Sequence, residues 1–320
     1  SPETYEKIIA VLRKLDIQHF FYIGGNDSMD TIKQLSEYAK AKNITDITFM
    51  GVPKTIDNDL AVTDHTPGYG SAAKYIASTM KEIIRDALVQ PIKIVNIIEI
   101  MGRNAGWLTA AAALAKGDDC EGADLIYLPE TVFDINKFVA KVQEIQKTKK
   151  QIVVAVSEGV KTADGKYVCE SASSNMLVDS FGHKQLSGTA TALANVISNE
   201  IGCKTRAIEF STIQRCASHI ASLTDVNEAF IVGGIAVKAA FDGETGKVGI
   251  FQRLSNKPYL MGTSIYDVNA IANVEKTVPQ EWIINDGTGV SQEALDYMRP
   301  LIQGEIYPYM VDGLPRHIKL

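Results

Sequence analysis

Residues 19–52, HFFYIGGNDSMDTIKQLSEYAKAKNITDITFMGV, spell out a β-strand, an α-helix and a second β-strand in succession. His19–Ile23 is short, aromatic and apolar, and it stops at Gly24-Gly25. A helix is predicted from about Ser28 to Lys42, because Ile32, Leu35 and Ala39 recur at the three-and-four spacing of a buried face. Ile47–Val52 is the next strand, ended by Pro53. Strands that read as unbroken apolar runs, separated by helices, belong to parallel sheets covered on both faces. The alternation extends outward from this unit. A helix is expected over about 71–88, a strand over 94–100 and an alanine-rich helix over about 105–116. Strands follow at 125–128 and 152–156 with a helix of about 135–147 between them, then helices near 188–201 and 226–241. Beyond about residue 265 the pattern becomes irregular. The class is α/β, and 320 residues suit two domains.

The composition narrows the function. Thirty-two Lys and Arg against 38 Asp and Glu leave a net charge of −6, which lacks the basic bias of a nucleic-acid binder. An acidic chain can still hold an anion through a local group of cations and backbone N–H donors. Four cysteines, Cys120, Cys169, Cys203 and Cys216, form no C-x-x-C, zinc or disulfide pattern, so reduced thiols and a cytoplasmic location are expected. The histidines (His19, His65, His183, His219 and His317) have no metal spacing. No apolar run has the length of a membrane span. Ser1-Pro2-Glu3 is neither a signal peptide nor an initiator methionine, so more chain is expected upstream.

Ligands of open α/β sheets sit beyond the carboxyl ends of the strands, so the strand-to-helix junctions carry the chemistry. Gly24-Gly25-Asn26-Asp27-Ser28 fits a phosphate-holding turn with Ser28 capping the next helix, or an ordinary βα turn. Pro53-Lys54-Thr55-Ile56-Asp57-Asn58-Asp59 has no amphipathic pattern. In an extended loop Thr55, Asp57 and Asp59 would share one side, with Ile56 and Asn58 on the other. Paired carboxylates suit acid–base work, because one raises the proton affinity of the other, and Lys54 would offset phosphate charge. A polar surface turn is the plainer alternative. Met101-Gly102-Arg103 precedes the alanine-rich helix, and Ser157-Glu158-Gly159 follows a strand; both suit a sugar or anion, with a plain helix N-cap the equal alternative at Glu158. Arg206 and Arg215 would bind a phosphate bidentately or simply face solvent. Read together, these junctions describe phosphoryl transfer to a sugar hydroxyl, a reaction served by positioning, charge neutralisation and removal of one proton.

At this point the segments match a known family. From about residue 5 to at least 255 the chain resembles the phosphofructokinases, and within them the pyrophosphate-dependent branch. Thr55-Ile56-Asp57-Asn58-Asp59, Met101-Gly102-Arg103, Pro129-Glu130, Ser157-Glu158-Gly159 and Ile213-Gln214-Arg215 recur in the family's order. The resemblance implies two Rossmann-like doubly wound lobes with mostly parallel sheets and an active site in the cleft between them. Residues 1–70 plus 215–265 would form the phosphoryl-donor lobe, 71–214 the fructose-phosphate lobe, and 266–320 a C-terminal extension. Asp57 then looks like the base for the 1-hydroxyl of fructose 6-phosphate, supported by Asp59, with Thr55 touching the transferring group. Gly24, Gly25 and Ser28 would hold the donor. Met101, Gly102, Arg103 and Glu158 resemble the sugar contacts. Arg206 and Arg215 resemble contacts to the 6-phosphate, Arg206 coming from a neighbouring subunit of a homodimer or homotetramer.

The same resemblance bears on the donor. ATP-using members have glycine at the places of Asp27 and Lys54. Here the aspartate would repel a nucleotide's α-phosphate, and the lysine would supply charge to pyrophosphate. Three departures stand out. Asn26 replaces a metal-binding aspartate, which weakens direct Mg²⁺ coordination although Mg²⁺ still arrives on pyrophosphate oxygens. Thr212 replaces a histidine. Ile94 replaces a neighbouring-subunit arginine, with Lys93 adjacent. The resemblance also implies a strand and a Gly-Gly-rich loop upstream of Ser1, without which this chain is expected to be inactive. An ATP-dependent 6-phosphofructokinase and a non-catalytic regulatory subunit are the alternatives. Asp57 and Asp59, both present, argue against the second.

Overall fold

The computed structural model describes residues 2–171 and 186–319. In chain order the elements are α1 (Pro2–Lys14), β1 (His19–Gly24), α2 (Asn26–Ala41), β2 (Thr48–Pro53), α3 (Tyr69–Leu88) and β3 (Ile94–Ile100). They continue as α4 (Trp107–Ala110), β4 (Leu125–Tyr127), α5 (Ile135–Ile145), β5 (Gln151–Ser157), α6 (Thr189–Ile201) and β6 (Lys204–Glu209). Last come β7 (Ala221–Ser222), α7 (Leu223–Phe241), β8 (Lys247–Asn256), β9 (Tyr259–Asp267) and α8 (Gln292–Met298). Among the described residues no helix is long and apolar enough to cross a membrane.

The chain forms two compact units, each made of two separate stretches. The first runs to Tyr69 and resumes over Leu223–Lys276. Its sheet has the order β1-β2-β8-β9. The first three strands are parallel, and β9 folds back antiparallel on β8. Alternate residues of β2 explain how both faces are filled. Phe49 joins Met29, Ile32 and Leu35 of α2 and Ile9 and Leu12 of α1 in one core, whereas Met50 packs on Ala239 and Ala240 of α7. The two-residue period of a strand thus sends successive apolar side chains into different layers.

The second unit comprises Gly70–Ser222 and Thr277–Leu320. Its sheet, β4-β5-β3-β6, is parallel throughout. All seven residues of β3 are buried, the polar Asn96 and Glu99 among them. Val95 and Ile97 pack with Val154 and Val156 against Phe138 and Val142 of α5 and Leu193 and Ile197 of α6. The stretch 266–320, expected as a C-terminal extension, is shared between the two units. Its residues to Lys276 complete the first unit, and the remainder joins the second, where Glu305–Ile306 pairs with β7.

Two local expectations also change. The helix expected over 105–116 is a single α-turn that tightens into a 3-10 helix at Ala111–Ala115. Eclipsed i,i+3 side chains normally oppose a 3-10 run, but three consecutive alanines have nothing to eclipse. The irregular tail expected after about 265 follows a hairpin, β8–β9, that ends at Asp267 and slips register between Arg253 and Ser255.

Candidate active site

In the first unit, parallel pairing of β1 with β2 sets the two donor junctions side by side. Gly24 lies opposite Pro53, and the Lys54 N–H donates to the Gly24 carbonyl at 3.0 Å. Helix α2 begins two residues earlier than expected: Gly25 is its N-cap, with no side-chain cap. Ser28 therefore sits inside the first turn. Its Oγ occupies the place a Cβ on Gly24 would need, only 2.1 Å away. The first-turn N–H groups of α2 have no acceptor within the helix, so the turn keeps the donor character expected of an anion-binding end. Asp27 lies in that turn, and both it and Lys54 are exposed.

The acidic loop after β2 is not extended. Asn58 adopts a left-handed conformation (φ 54°) and is fully buried. Its Oδ1 accepts the Thr66 N–H at 3.1 Å, while Thr66 Oγ1 donates to the Thr55 carbonyl at 2.7 Å. The strict alternation of 55, 57 and 59 is lost to this turn, because an asparagine side chain tolerates the left-handed region and anchors it from within. Thr55 Oγ1 accepts the Asp57 N–H at 3.1 Å and donates to Asp57 Oδ2 at 3.3 Å. Asp59 reaches the other junction, where the Asn26 amide donates to its Oδ2 at 3.4 Å. Asn26 Oδ1 and Asp59 Oδ1 are buried without a hydrogen-bond partner among the described residues. Burial above all, with the Asp57 charge adding to it, pushes the Asp59 carboxyl up to about 6.

Behind this loop lies a group of buried charges that sequence reading did not find. His65 is 1% exposed and stacks on Phe251, with ring centroids 4.6 Å apart. Its Nδ1 meets Asp64 Oδ1 at 2.8 Å and its Nε2 meets Glu228 Oε2 at 2.6 Å. A ring with a carboxylate on each nitrogen is an imidazolium, since a neutral ring has only one N–H to donate. Burial works against that charge, but hydrogen bonds and charges from Asp64 and Glu228 outweigh it and hold the pKa above the usual histidine value. Arg253 binds Asp64, and Tyr259 donates to Glu228 Oε1 at 2.6 Å. Lys276 ties the acidic loop to this group: its N–H donates to the Asp59 carbonyl and its Nζ to the Thr63 and Asp64 carbonyls.

In the second unit, the ends of β3 and β5 bring together Met101, Gly102, Arg103 and Glu158. Met101, Arg103 and Glu158 line a cavity of about 310 Å³ with Arg215, Thr212, Glu99 and Glu209. The Gly102 N–H donates to Glu158 Oε1 at 3.3 Å, and Ser157 Oγ donates to the Gly102 carbonyl in a short hydrogen bond. Gly159 allows the two loops to touch, since a Cβ there would lie 1.9 Å from the Arg103 carbonyl oxygen. Buried Gln214 accepts the Met101 N–H at 3.2 Å and donates to the Ser211 carbonyl at 3.0 Å. Its place in Ile213-Gln214-Arg215 was legible, but not its positioning role. Glu130 does similar work, accepting the N–H groups of Gly106 and Val278. Arg206 is outside this cavity's lining; it pairs with Asp86 at 3.0 Å on the surface. Ile94 is fully buried, so only Lys93 remains exposed beside it. Among the described residues no group of three or more His, Cys, Asp or Glu side chains is arranged for a metal; His183 lies outside them.

Glycine turns, hydroxyls and carboxylates at the carboxyl ends of parallel strands define a doubly wound α/β protein of the phosphotransferase class. A family model, phosphofructokinase, matches residues 1–215, and the chain belongs to that family. It is 42% identical over 319 residues to a protein of Xanthomonas campestris pv. campestris named pyrophosphate–fructose 6-phosphate 1-phosphotransferase, covering 99% of this chain and 75% of that one. A Halomonas elongata protein of the same name is 40% identical with the same coverage. The crystal structure of a pyrophosphate-dependent phosphofructokinase from Nitrosospira multiformis matches with a TM-score of 0.88 at 38% identity, covering 98% of this chain and 75% of that one.

Proposed function

We propose that the protein carrying this sequence transfers a phosphoryl group reversibly between pyrophosphate and the 1-hydroxyl of fructose 6-phosphate, giving fructose 1,6-bisphosphate and phosphate. The observation that carries the reading is the junction of β1 and β2. There a cationic side chain, a helix N-terminus and two carboxylates converge in a chain about 40% identical to proteins named for this reaction. Asp57 accepts the proton of the 1-hydroxyl, the freed oxygen attacks the terminal phosphorus of pyrophosphate, and phosphate leaves. Lys54 and the first turn of α2 hold pyrophosphate, and Thr55 orients Asp57 through the hydrogen bond already described. Asp27 excludes the extra phosphate of a nucleotide by charge repulsion. Met101, Gly102, Arg103, Glu158 and Arg215 hold the sugar phosphate, with Arg206 reaching the 6-phosphate of a neighbouring subunit's site.

Mg²⁺ fits the residues present. The buried, unpartnered Oδ1 atoms of Asn26 and Asp59 are hard oxygen donors, and Mg²⁺ commonly takes one or two protein oxygens and completes its shell with phosphate and water. When bound, Mg²⁺ neutralises charge on the pyrophosphate oxygens. A cytoplasmic location accords with phosphorylated metabolites as substrates. The test is Asp57→Asn, which keeps the side chain's size and loses its basicity. Turnover with pyrophosphate should fall by about 10²–10⁴-fold while fructose 6-phosphate still binds. Full turnover in that variant would remove Asp57 as the base.

A further inference from the structure

Glu99 takes no part in the chemistry above, yet its side chain is 4% exposed at the end of β3, two residues before Met101. Its Oε2 accepts the N–H of Ala190, the second residue of α6, at 2.9 Å. Its own carbonyl accepts the Phe210 N–H at 3.1 Å. The same turn of α6 is tied once more to the sugar loops, where Thr189 Oγ1 donates to the Glu158 carbonyl at 3.2 Å. Leu186 and Ser187, which lead into that turn, line the cavity together with Met101, Arg103 and Glu158.

A helix start leaves N–H groups without intrahelical acceptors and carries partial positive charge, so a carboxylate there makes a stronger bond than a neutral acceptor. We infer that Glu99 is a positioning residue of the sugar-phosphate site: its carboxylate clamps the first turn of α6 to the end of β3, holding the Leu186–Ser187 wall beside the Met101–Arg103 loop. The inference rests on the function proposed above for the naming of the ligand, but the clamp itself does not.

The charged and titratable groups around Glu99 are Glu209 on β6, Cys169 in the 3-10 turn Val168–Ser171, and Glu158, Arg103 and Arg215 around the cavity. Burial holds the Glu99 carboxyl up to about 7 against the pull of the Ala190 N–H, with the Glu209 charge adding to the rise. The Cys169 thiol is itself pushed up by burial and stays neutral in that range. The clamp is therefore charged at pH 8 and largely neutral at pH 6.

The experiment compares wild type, Glu99→Gln and Glu99→Ala. Calorimetric binding of fructose 6-phosphate and of pyrophosphate is measured at pH 6 and 8, with hydrogen exchange over residues 186–201. Glu99→Gln should weaken fructose 6-phosphate about five- to tenfold at pH 8 and less than about twofold at pH 6, the difference between a charged and a neutral acceptor. Pyrophosphate binding should not change. Exchange around Ala190 should quicken about tenfold in Glu99→Ala, the loss of one such bond. Unchanged exchange there, or equal weakening of both ligands, would overturn the clamp. A wild type that binds no fructose 6-phosphate sinks the proposed function and the positioning role with it. A wild type that binds normally, with a silent Glu99→Gln, sinks the clamp alone.

Discussion

At Asp27 and Lys54 two exposed side chains of opposite charge flank one glycine turn, and neither has a packing duty that would explain it. Their proposed duty is selection of the donor. An uncompensated aspartate near a nucleotide's α-phosphate needs to cost only about 1.4 kcal/mol for each tenfold of discrimination. Replacing both by glycine should lower kcat/KM for pyrophosphate at least about tenfold and bring in measurable ATP use. Parallel phosphate-release assays with the two donors decide it, and no ATP use at all in the double variant counts against this assignment. The segments around Asp57 and Glu158 were legible as polar turns at strand ends, their catalytic and sugar-binding roles being proposals. Gln214 and Glu99 were not, because their role lies in which backbone N–H they receive, and only the folded register reveals that.

Whole elements were read well where burial is complete. The strands at 94–100 and 151–157 and helix α2 follow from apolar runs and a three-and-four stripe. The failures share another cause. Tertiary contacts chose the 3-10 turn at Ala111–Ala115, and the buried Asn58 side chain turned a loop that local alternation reads as straight. Hairpin β8–β9 is polar over much of its length, with only Val248–Phe251 of β8 continuously buried, so it lacks the apolar signature of its parallel neighbours. The ion pairs of His65 link β8, β9 and α7 to the acidic loop. Because the folded pKa of His65 is raised, its contribution is fully present below about 6.5 and is lost as pH climbs through the folded value. Thermal melts from pH 6 to 9 should therefore show the wild type losing its advantage over His65→Gln on the alkaline side. An advantage that stays level or widens with pH would contradict a buried imidazolium.

For the molecule as a whole, the separation of Arg206 from the cavity at the ends of β3 and β5 is the feature with the largest reach. If Arg206 serves a neighbouring site, Asp57→Asn and Arg206→Ala chains, each inactive alone, should complement one another when their subunits exchange. An equal mixture of a symmetric dimer would recover about a quarter of wild-type activity, since half the particles are mixed and each has one intact site. No recovery after verified exchange would return Arg206 to its own subunit's surface, where it pairs with Asp86. The discontinuous make-up of the two units has a consequence for biosynthesis. Strand β8, which completes the parallel part of the first sheet beside β2, leaves the ribosome nearly two hundred residues after its partner. Until then the nascent chain carries β2 with an unpaired, apolar border while the second sheet assembles. Holding that border away from other polypeptides is work for chaperones, and synthesis without them should favour aggregation of chains stalled before residue 247.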